Sequence, residues 1–475
     1  MTPDANELCV FAIKRGEIER KEIYCNPLYP FYISLIEKYK NSPYYCGKMS
    51  DFLDVNPKTD CSMLTDKTEV SFVPMPNVQE KSNVVSYDTV PYEKVKKGFT
   101  VFQRNDLIWA KITPCMQNGK SCLVDEMPTE IGFGSTEFHV IRKRNNNVYM
   151  PFVWSIFSNE NVLKAAQAVF SGSAGQQRVS ASFLENFPAP MPSYEKQVQM
   201  ASMLEKALMS RNQKLTAANQ LLVQNSKYLL ERLGLSFDQP QQVILYATLL
   251  SNIDGRIDAD YYSPKFAHFR DKIENSPYEV LPIGVISDNI VSGFAAGKQD
   301  QADNLPEEKR VPHLRPFSIT PEGELTFDTQ KFVPKDHLHD GDYCRKNEIL
   351  FNNTNSPDLV GKTTVFDSDV LCAASNHMTR ITAREGVNPY YVAAFFNVLL
   401  SIGYWKLLCT NFNNQAGVNT ETLKKVRIPV PPKSLQDEIA TELMLRRSKA
   451  NALRKEAQME WQAAKMQFEK ELLEG

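Results

Sequence analysis

"SGSAGQQRVSASFLENFPAPMPSYEKQ", residues 171–197, is polar and glycine-punctuated, then apolar, then proline-stopped, and finally opens a helix-forming segment. Residues 413–438, "NNQAGVNTETLKKVRIPVPPKSLQDE", follow the same order near the other end of the chain. Ala174-Gly175 answers Ala416-Gly417, and Leu184 with Pro190 and Pro192 answers Leu423 with Pro429 and Pro431. On this alignment Gln176, Gln177 and Arg178 stand where the second copy has Val418, Asn419 and Thr420. Self-similarity at a long period is the mark of a repeated structural unit.

The repetition extends outward from that stretch. "NSPY" occurs at Asn41–Tyr44 and again at Asn275–Tyr278, and "YCNP" (Tyr24–Pro27) answers "YYSP" (Tyr261–Pro264). "NDLIW" (Asn105–Trp109) matches "NEILF" (Asn347–Phe351), and Gly119-Lys120 matches Gly361-Lys362. Each match is short, but all keep one order at offsets of 234 to 242 residues, which makes a tandem duplication with small insertions.

Each copy has two parts. Short apolar runs such as "DLIWAKI", "FHVIRK", "EILFNN" and "TTVFDS", separated by Gly, Pro and Asn turns, predict strands with a few packed helices, an α+β domain. After the prolines the pattern changes. Leu208, Leu215, Leu222 and Leu229 recur every seven residues, with Ala201 a heptad earlier, and no Pro or Gly interrupts residues 193–233. Leu443, Ala450, Ala457 and Ala464 keep the same step near the end, where Trp461 and Phe468 add bulk. A seven-residue apolar step is a coiled-coil seam, and a helix of about forty residues is a rod of about 60 Å. The expected parts are two similar globular domains, 1–193 and 251–432, a central helix 194–234, a linker 235–250 and a C-terminal helix 433–475.

Composition narrows the function classes. A chain of 475 residues with 42% apolar content is long enough for more than one core. No apolar run reaches membrane-spanning length and the N-terminus lacks a signal pattern, so a soluble, unexported protein of the cytoplasm with no membrane partner is expected. Nine scattered cysteines without a CxxC pair suit a reducing compartment. The net charge of -2 argues against wholesale phosphate neutralisation, yet Lys94, Lys96, Lys97, Arg104, Lys111, Lys120, Arg142, Lys143 and Arg144 crowd one stretch.

Catalytic and metal patterns fall short. "SGFAAGKQ" (Ser292–Gln299) has three residues between its glycines and Gln after the Lys, where a phosphate loop needs four and Ser or Thr. "NPLY" (Asn26–Tyr29) reads as a turn. "DHLHDGD" (Asp336–Asp342) places His337 and His339 two apart but offers no third ligand. Neither catalysis nor a metal is expected of this chain.

Recognition chemistry remains. The first copy carries Arg104, Lys111, Gln117, Asn118, Lys120, Ser135, Thr136, Glu137, Arg142, Ser173, Gln176, Gln177 and Arg178. The second carries Arg315, Asn352, Asn353, Asn355, Lys362, Asn376, His377, Arg380, Asn414 and Gln415. Asn and Gln match an adenine edge, Arg a guanine edge, and Glu accepts from cytosine. The same stretches also suit turns, where Asn and Gly supply backbone freedom.

"KITPCMQNGKSCLV", "GFGSTEFHVIR", "GSAGQQRVSASFLENFPAPMPSYEKQ", "NNTNSPDLVGKTTVF" and "AGVNTETLKKVRIPVPP" closely resemble the specificity subunit of type I restriction-modification enzymes. The resemblance runs along nearly the whole chain and is weakest before residue 60 and at Asn289–Lys309. It implies two target recognition domains related by a pseudo-twofold axis. Each would read half of a bipartite, asymmetric site on double-stranded DNA, with two antiparallel helices setting the gap. It further implies two methyltransferase subunits that flip and methylate adenine N6 with S-adenosylmethionine, and two motor-nuclease subunits using ATP and Mg. None of those cofactors is expected on this chain. The rival readings are a specificity protein for a type II-like or other phage-defence methyltransferase, and a scaffold that reads no DNA.

Overall fold

The computed structural model describes residues 28–173, 176–237, 245–249, 251, 253, 256–412 and 415–475. The described residues divide into two compact units, those up to 214 with 455–475 and those within 215–454. In the first, α1 (Tyr29–Lys40) precedes β1 (Cys46–Lys48), β2 (Leu53–Val55), β3 (Glu69–Val73), β4 (Asp88–Pro91) and β5 (Thr100–Gln103). Then come β6 (Leu107–Ala110), β7 (Ser121–Leu123), β8 (Ile131–Gly134), β9 (Phe138–Lys143), α2 (Met150–Phe157) and α3 (Glu160–Gln167). Helix α4 (Ala181–Asn186) and β10 (Pro188–Pro190) lead into the long α5 (Tyr194–Arg232).

Two four-stranded sheets, ordered β2-β9-β6-β7 and β4-β3-β8-β5, form the body, and β1 pairs with β10 beside them. The two-residue period of a strand sorts the core into layers. Leu107 and Trp109 of β6 join the helix-side cluster, whereas Ile108 and Ala110 join the cluster on the opposite face. Trp109 is buried and its indole N–H donates to the Phe157 carbonyl at 3.2 Å, so the ring gains apolar contact without stranding its donor. Helix α2 is buried at every residue but Pro151, which explains why it reads as apolar all round rather than striped. Each large apolar side chain taken fully from water contributes about 1.5–3 kcal/mol.

The second unit runs α6 (Pro264–Glu274), β11 (Val280–Pro282), β12 (Ser287–Ser292), β13 (Arg310–Leu314), β14 (Phe332–Pro334), β15 (Ile349–Asn352) and β16 (Thr354–Asn355). It continues with β17 (Thr363–Val365), β18 (Ala373–Ala374), β19 (Met378–Ala383), α7 (Pro389–Ser401), α8 (Tyr404–Leu408), β20 (Thr410–Phe412) and β21 (Gln415–Gly417). Helix α9 (Thr420–Lys425), β22 (Arg427–Pro429) and the long α10 (Lys433–Glu474) end it. The topology repeats that of the first. Sheet β12-β19-β15-β17 answers β2-β9-β6-β7, β11 pairs β22 as β1 pairs β10, and β13 runs parallel to β18 as β3 does to β8. Ile349 and Phe351 of β15 face the helices while Leu350 faces away.

The duplication reaches single backbone angles. Asn105 and Asn347, just before β6 and β15, are left-handed at φ 71 and 70. Gly119 and Gly361 follow with φ 68 and 97. Asparagine tolerates this region and glycine occupies it without strain.

The register also corrects the sequence alignment in one place. Val179 N bonds Lys111 O, and Val418 N bonds Asn353 O; Ile112 bridges Arg178 as Thr354 pairs with Gly417. Ser180 and Asn419 are then the matching N-caps of α4 and α9. Arg178 therefore corresponds to Gly417, not Thr420. Among the described residues the second copy is three residues shorter between β15 and this point, as offsets of 242 and 239 show, and Ala174-Gly175 lie outside the described residues.

The two long helices pair within each unit. In the first, Lys196 reaches Glu471 at 2.9 Å and Lys214 reaches Glu456 at 2.8 Å, so residues 194–214 run antiparallel to 455–474. Leu208, Ala457, Trp461 and Phe468 are buried there, Ala464 packs on the same core, and the Phe468 ring lies 5.8 Å from that of Phe152. In the second, Arg232 reaches Glu438 at 2.7 Å and Arg454 reaches Asn219 at 3.0 Å, again antiparallel. Leu229, Leu443 and Ala450 are buried, and half-buried Leu215 and Leu222 flank buried Ala218. Helix α5 stops at left-handed Gly234, where Leu235 N closes onto Leu230 O at 2.9 Å. Among the described residues no helix is long and apolar enough to cross a membrane.

Candidate nucleic-acid interface

In the first unit three segments meet beyond the end of β6. Lys111 N donates to Glu137 O at 2.9 Å, Val179 N to Lys111 O at 2.9 Å, and Thr113 N to Gln177 O at 3.0 Å. Main-chain bonds thus fix the segments that carry Lys111, Glu137 and Arg178. Arg178 grips Glu137 with both side-edge nitrogens, Nε to Oε2 at 2.9 Å and Nη2 to Oε1 at 2.7 Å. The guanidinium holds the Glu137 carboxyl below the usual carboxylate range, with Lys111 adding to the effect. Around this pair Ser173, Gln176 and Thr136 are exposed, and Gln177 and Ser135 half-buried. Behind it His139 is buried, its Nε2 bonded to Val179 O at 2.9 Å, and burial lowers its pKa.

The second unit builds the same edge with other residues. Asn353 N bonds His377 O at 3.0 Å and Val418 N bonds Asn353 O at 2.9 Å, so β16 and β21 meet where Ile112 and Arg178 meet in the first. Asn376, His377 and Gln415 are exposed there and Asn355 is half-buried, its Oδ1 capping Ser356 N at 2.8 Å. Asn414 lies outside the described residues. His377 stands where the first unit has Glu137, and Gly417 where it has Arg178.

Several residues chosen from the sequence bond to the scaffold, some of them buried. Lys120 donates to Met75 O at 3.2 Å, and Lys362 to Pro316 O at 3.1 Å and Ile319 O at 2.7 Å. Each lysine closes a short 3₁₀ turn, Met75–Asn77 or Pro316–Ser318, and burial lowers the pKa of Lys362. Asn352 donates to Leu359 O at 3.0 Å, and Asn353 to Asn376 O at 3.1 Å. Arg380 is buried, donates to the carbonyls of Tyr343 and Gly341, and lies 3.6 Å from Glu348. Arg142 is held by Asp106 and Thr59. Arg315 stands at the start of the Pro316–Ser318 turn, its N bonded to Ser318 Oγ at 3.1 Å.

At the surface, Gln117 bonds Gln167 at 3.3 Å, Asn118 bonds Glu80 at 2.8 Å, and Arg104 pairs with Glu130 at 3.1 Å. The basic stretch is partly neutralised in the same way, since Lys96 pairs with Asp66 and Arg144 with Asp54. Lys94, Lys97, Lys111 and Lys143 form no ion pair among the described residues. His337 bonds Asp300 at 2.7 Å, and among the described residues no group of three or more His, Cys, Asp or Glu could hold a metal.

The sequence reading missed Gln197 and Gln436, which are buried one turn into the long helices. Their signal was present: both lie at the 239-residue offset of Leu184 and Leu423.

Residues 41–220 match the type I restriction modification DNA specificity domain. The chain is 34% identical over 264 residues to the type I restriction enzyme EcoAI specificity subunit of Escherichia coli, covering 54% of this chain and 42% of that protein. It is 26% identical over 321 residues to the EcoEI specificity subunit of the same species, covering 64% and 50%. The chain spans about half the length of these curated relatives. Its fold is similar to a solved structure described as "Structural basis underlying complex assembly and conformational transition of the type I R-M system", with a TM-score of 0.50 at 14% identity, covering 90% of this chain and 97% of that one.

Proposed function

We propose that this chain, a relative of the type I restriction enzyme specificity subunits, is the DNA-reading subunit of a restriction-modification complex. Each unit reads one half of a bipartite site through the loop edge described above. The parts we assign are target domains 1–193 and 251–432, spacer helices 194–234 and 433–475, and a linker 235–250. The helices set the gap between half-sites and dock two methyltransferase subunits, which methylate adenine N6 with S-adenosylmethionine. Two motor-nuclease subunits using ATP and Mg complete the assembly in the cytoplasm. The chain itself binds none of these cofactors and catalyses no step.

One observation carries the reading. The same three-segment edge is built twice on the same strand topology, but with different residues at matching positions: half-buried Glu137 and Arg178 in one unit, exposed His377 and half-buried Gly417 in the other. Repeating the scaffold while changing the exposed chemistry suits two unlike half-sites, because base edges are told apart by their donor and acceptor patterns. A scaffold that only bound protein would have no use for that difference.

The test is to produce the chain with its methyltransferase and sequence the modified DNA. Methyladenine in a split motif with a fixed gap is the expected result. Modification in a contiguous motif, or none above that of the methyltransferase alone, would overturn the proposal.

A further inference from the structure

Arg178 is fixed at both ends. Its backbone N donates to Ser171 O at 2.8 Å and its O accepts from Ser171 N at 3.0 Å. The partner is fixed too, since Glu137 N donates to Ser135 Oγ at 3.2 Å and Glu137 O accepts from Lys111 N. A guanidinium has five N–H donors in one plane. Nε–H and the neighbouring Nη2–H go to the two Glu137 oxygens, and one Nη1–H goes to Gln176 O at 2.9 Å. Three of the five are thus used, which leaves one N–H on each terminal nitrogen, Nη1 and Nη2; the outer edge of a guanidinium presents its two terminal N–H groups in parallel. The side chain is 40% exposed.

Two parallel donors at that spacing fit two adjacent acceptors. In the major groove guanine alone presents such a pair, O6 and N7; adenine sets a donor beside its N7, and neither pyrimidine offers two adjacent acceptors. Resting on the DNA-reading role proposed above, we infer that Arg178, oriented by Glu137, reads a guanine in the half-site of the first unit. Glu137 is a positioning residue. Its carboxylate removes the rotamer freedom an exposed arginine would otherwise lose on binding, which is the advantage of preorganisation. The second unit lacks the device, because His377 and Gly417 hold the corresponding positions.

A fork of this kind also fits two phosphate oxygens, and the experiment separates the two uses. The full chain, assembled with its methyltransferase, is assayed by sequencing methylated sites. Arg178→Ala is expected to make one guanine of one half-site degenerate, lowering discrimination about 5- to 150-fold, while the other half-site and the gap stay unchanged. Arg178→Lys retains a charge beside Glu137, keeping the local fold, but supplies a point donor instead of a fork, and should relax the same position. Glu137→Gln should relax it less than Arg178→Ala does. A motif unchanged in Arg178→Ala and Arg178→Lys overturns the inference. So does modification that weakens evenly over all sequences, the signature of a phosphate contact. A wild-type complex with no split motif overturns the DNA-reading proposal, and this one with it.

Discussion

Gln197 Oε1 accepts from Tyr149 N at 2.9 Å, and Gln436 Oε1 accepts from Asn388 N at 2.8 Å. Each amide then donates to the proline carbonyl just ahead of its helix, Pro192 O at 3.0 Å and Pro431 O at 2.8 Å. Each also reaches a loop carbonyl, Asn147 O at 3.1 Å or Gly386 O at 3.5 Å. One buried side chain per unit thus ties the start of a long helix to the loop before α2 or α7. The orientation proposed for the spacer helices depends on that tie.

Replacing Gln197 or Gln436 with Ala takes the partner from three backbone groups, the proline carbonyl in a buried bond and the other two in part-buried ones, and a buried group left unpaired costs about 1–3 kcal/mol. Some will find water, so a loss of about 2–4 kcal/mol is expected, read as a lowered denaturant midpoint. Glu is expected to be worse than Ala, since a carboxylate keeps the acceptor but turns an oxygen toward two carbonyls. A Glu variant as stable as wild type would show that the amide donations contribute nothing.

Asp106 and Glu348 share one position of the repeat and each is met by an arginine, Arg142 in the first unit and Arg380, from a different strand position, in the second. Asp106 is 1% exposed, takes two bonds from Arg142 at 2.8 and 2.7 Å, and accepts from Gln103 N at 2.8 Å. In the second unit Glu348 accepts from Arg345 N at 3.0 Å and faces Arg380. Arg142→Ala leaves a carboxylate buried alone and should cost about 3–5 kcal/mol. Arg104→Ala breaks only an exposed pair with Glu130 and should cost less than about 1 kcal/mol. Calorimetry on both variants checks the contrast, and equal losses would contradict it.

The duplication was legible because its strongest matches, "NDLIW" with "NEILF" and the paired Gly-Lys, fall on strands and left-handed turns that tolerate little change. The long helices were legible through a seven-residue step that only a helix pair requires. The edge was less so. Lys120, Lys362, Asn352 and Arg380 look like surface residues in a linear reading, since polar side chains usually are. Lys362, Asn352 and Arg380 are buried, and Lys120 half-buried, by turns and strands that are distant in the chain, which spacing does not reveal. Arg178 and Glu137 were selected separately; only the fold brings together residues 41 positions apart.

Gly361 and Gly119 occupy one position in the repeat but differ in their surroundings. A Cβ at Gly361 would sit 2.1 Å from Trp405 Cδ1 within the buried indole, at φ 97. At Gly119 the nearest atoms are Lys81 Cγ at 3.0 Å and Leu163 Cδ1 at 3.2 Å, at φ 68. Both Ala variants carry the left-handed penalty of about 1 kcal/mol, but Gly361→Ala must also displace Trp405, an overpacking cost of about 1–3 kcal/mol. Gly361→Ala should therefore lower the denaturation midpoint more than Gly119→Ala, and the reverse order would refute the steric account.

The second unit should weaken in acid through His313. This side chain is buried, with Nε2 bonded to Phe294 O at 3.3 Å and Nδ1 unpartnered among the described residues. The charged and titratable groups facing it are Arg315, Asp300 and His377. Burial, then the Arg315 charge, lowers its pKa from 6.5 to about 4. Between those values the unfolded chain binds a proton that the folded chain refuses, so stability rises with pH. It is complete above the unfolded value and is lost as pH falls toward about 4. The slope is about 1.4 kcal/mol per pH unit, and about 3 kcal/mol across the window. Asp300 is also held below its usual value, but its contribution disappears only beneath 3.8, outside this range. Urea titrations at pH 7, 6 and 5 should show wild type losing stability more steeply than His313→Gln, which removes the titrating group. Parallel losses in the two proteins would assign the acid sensitivity elsewhere.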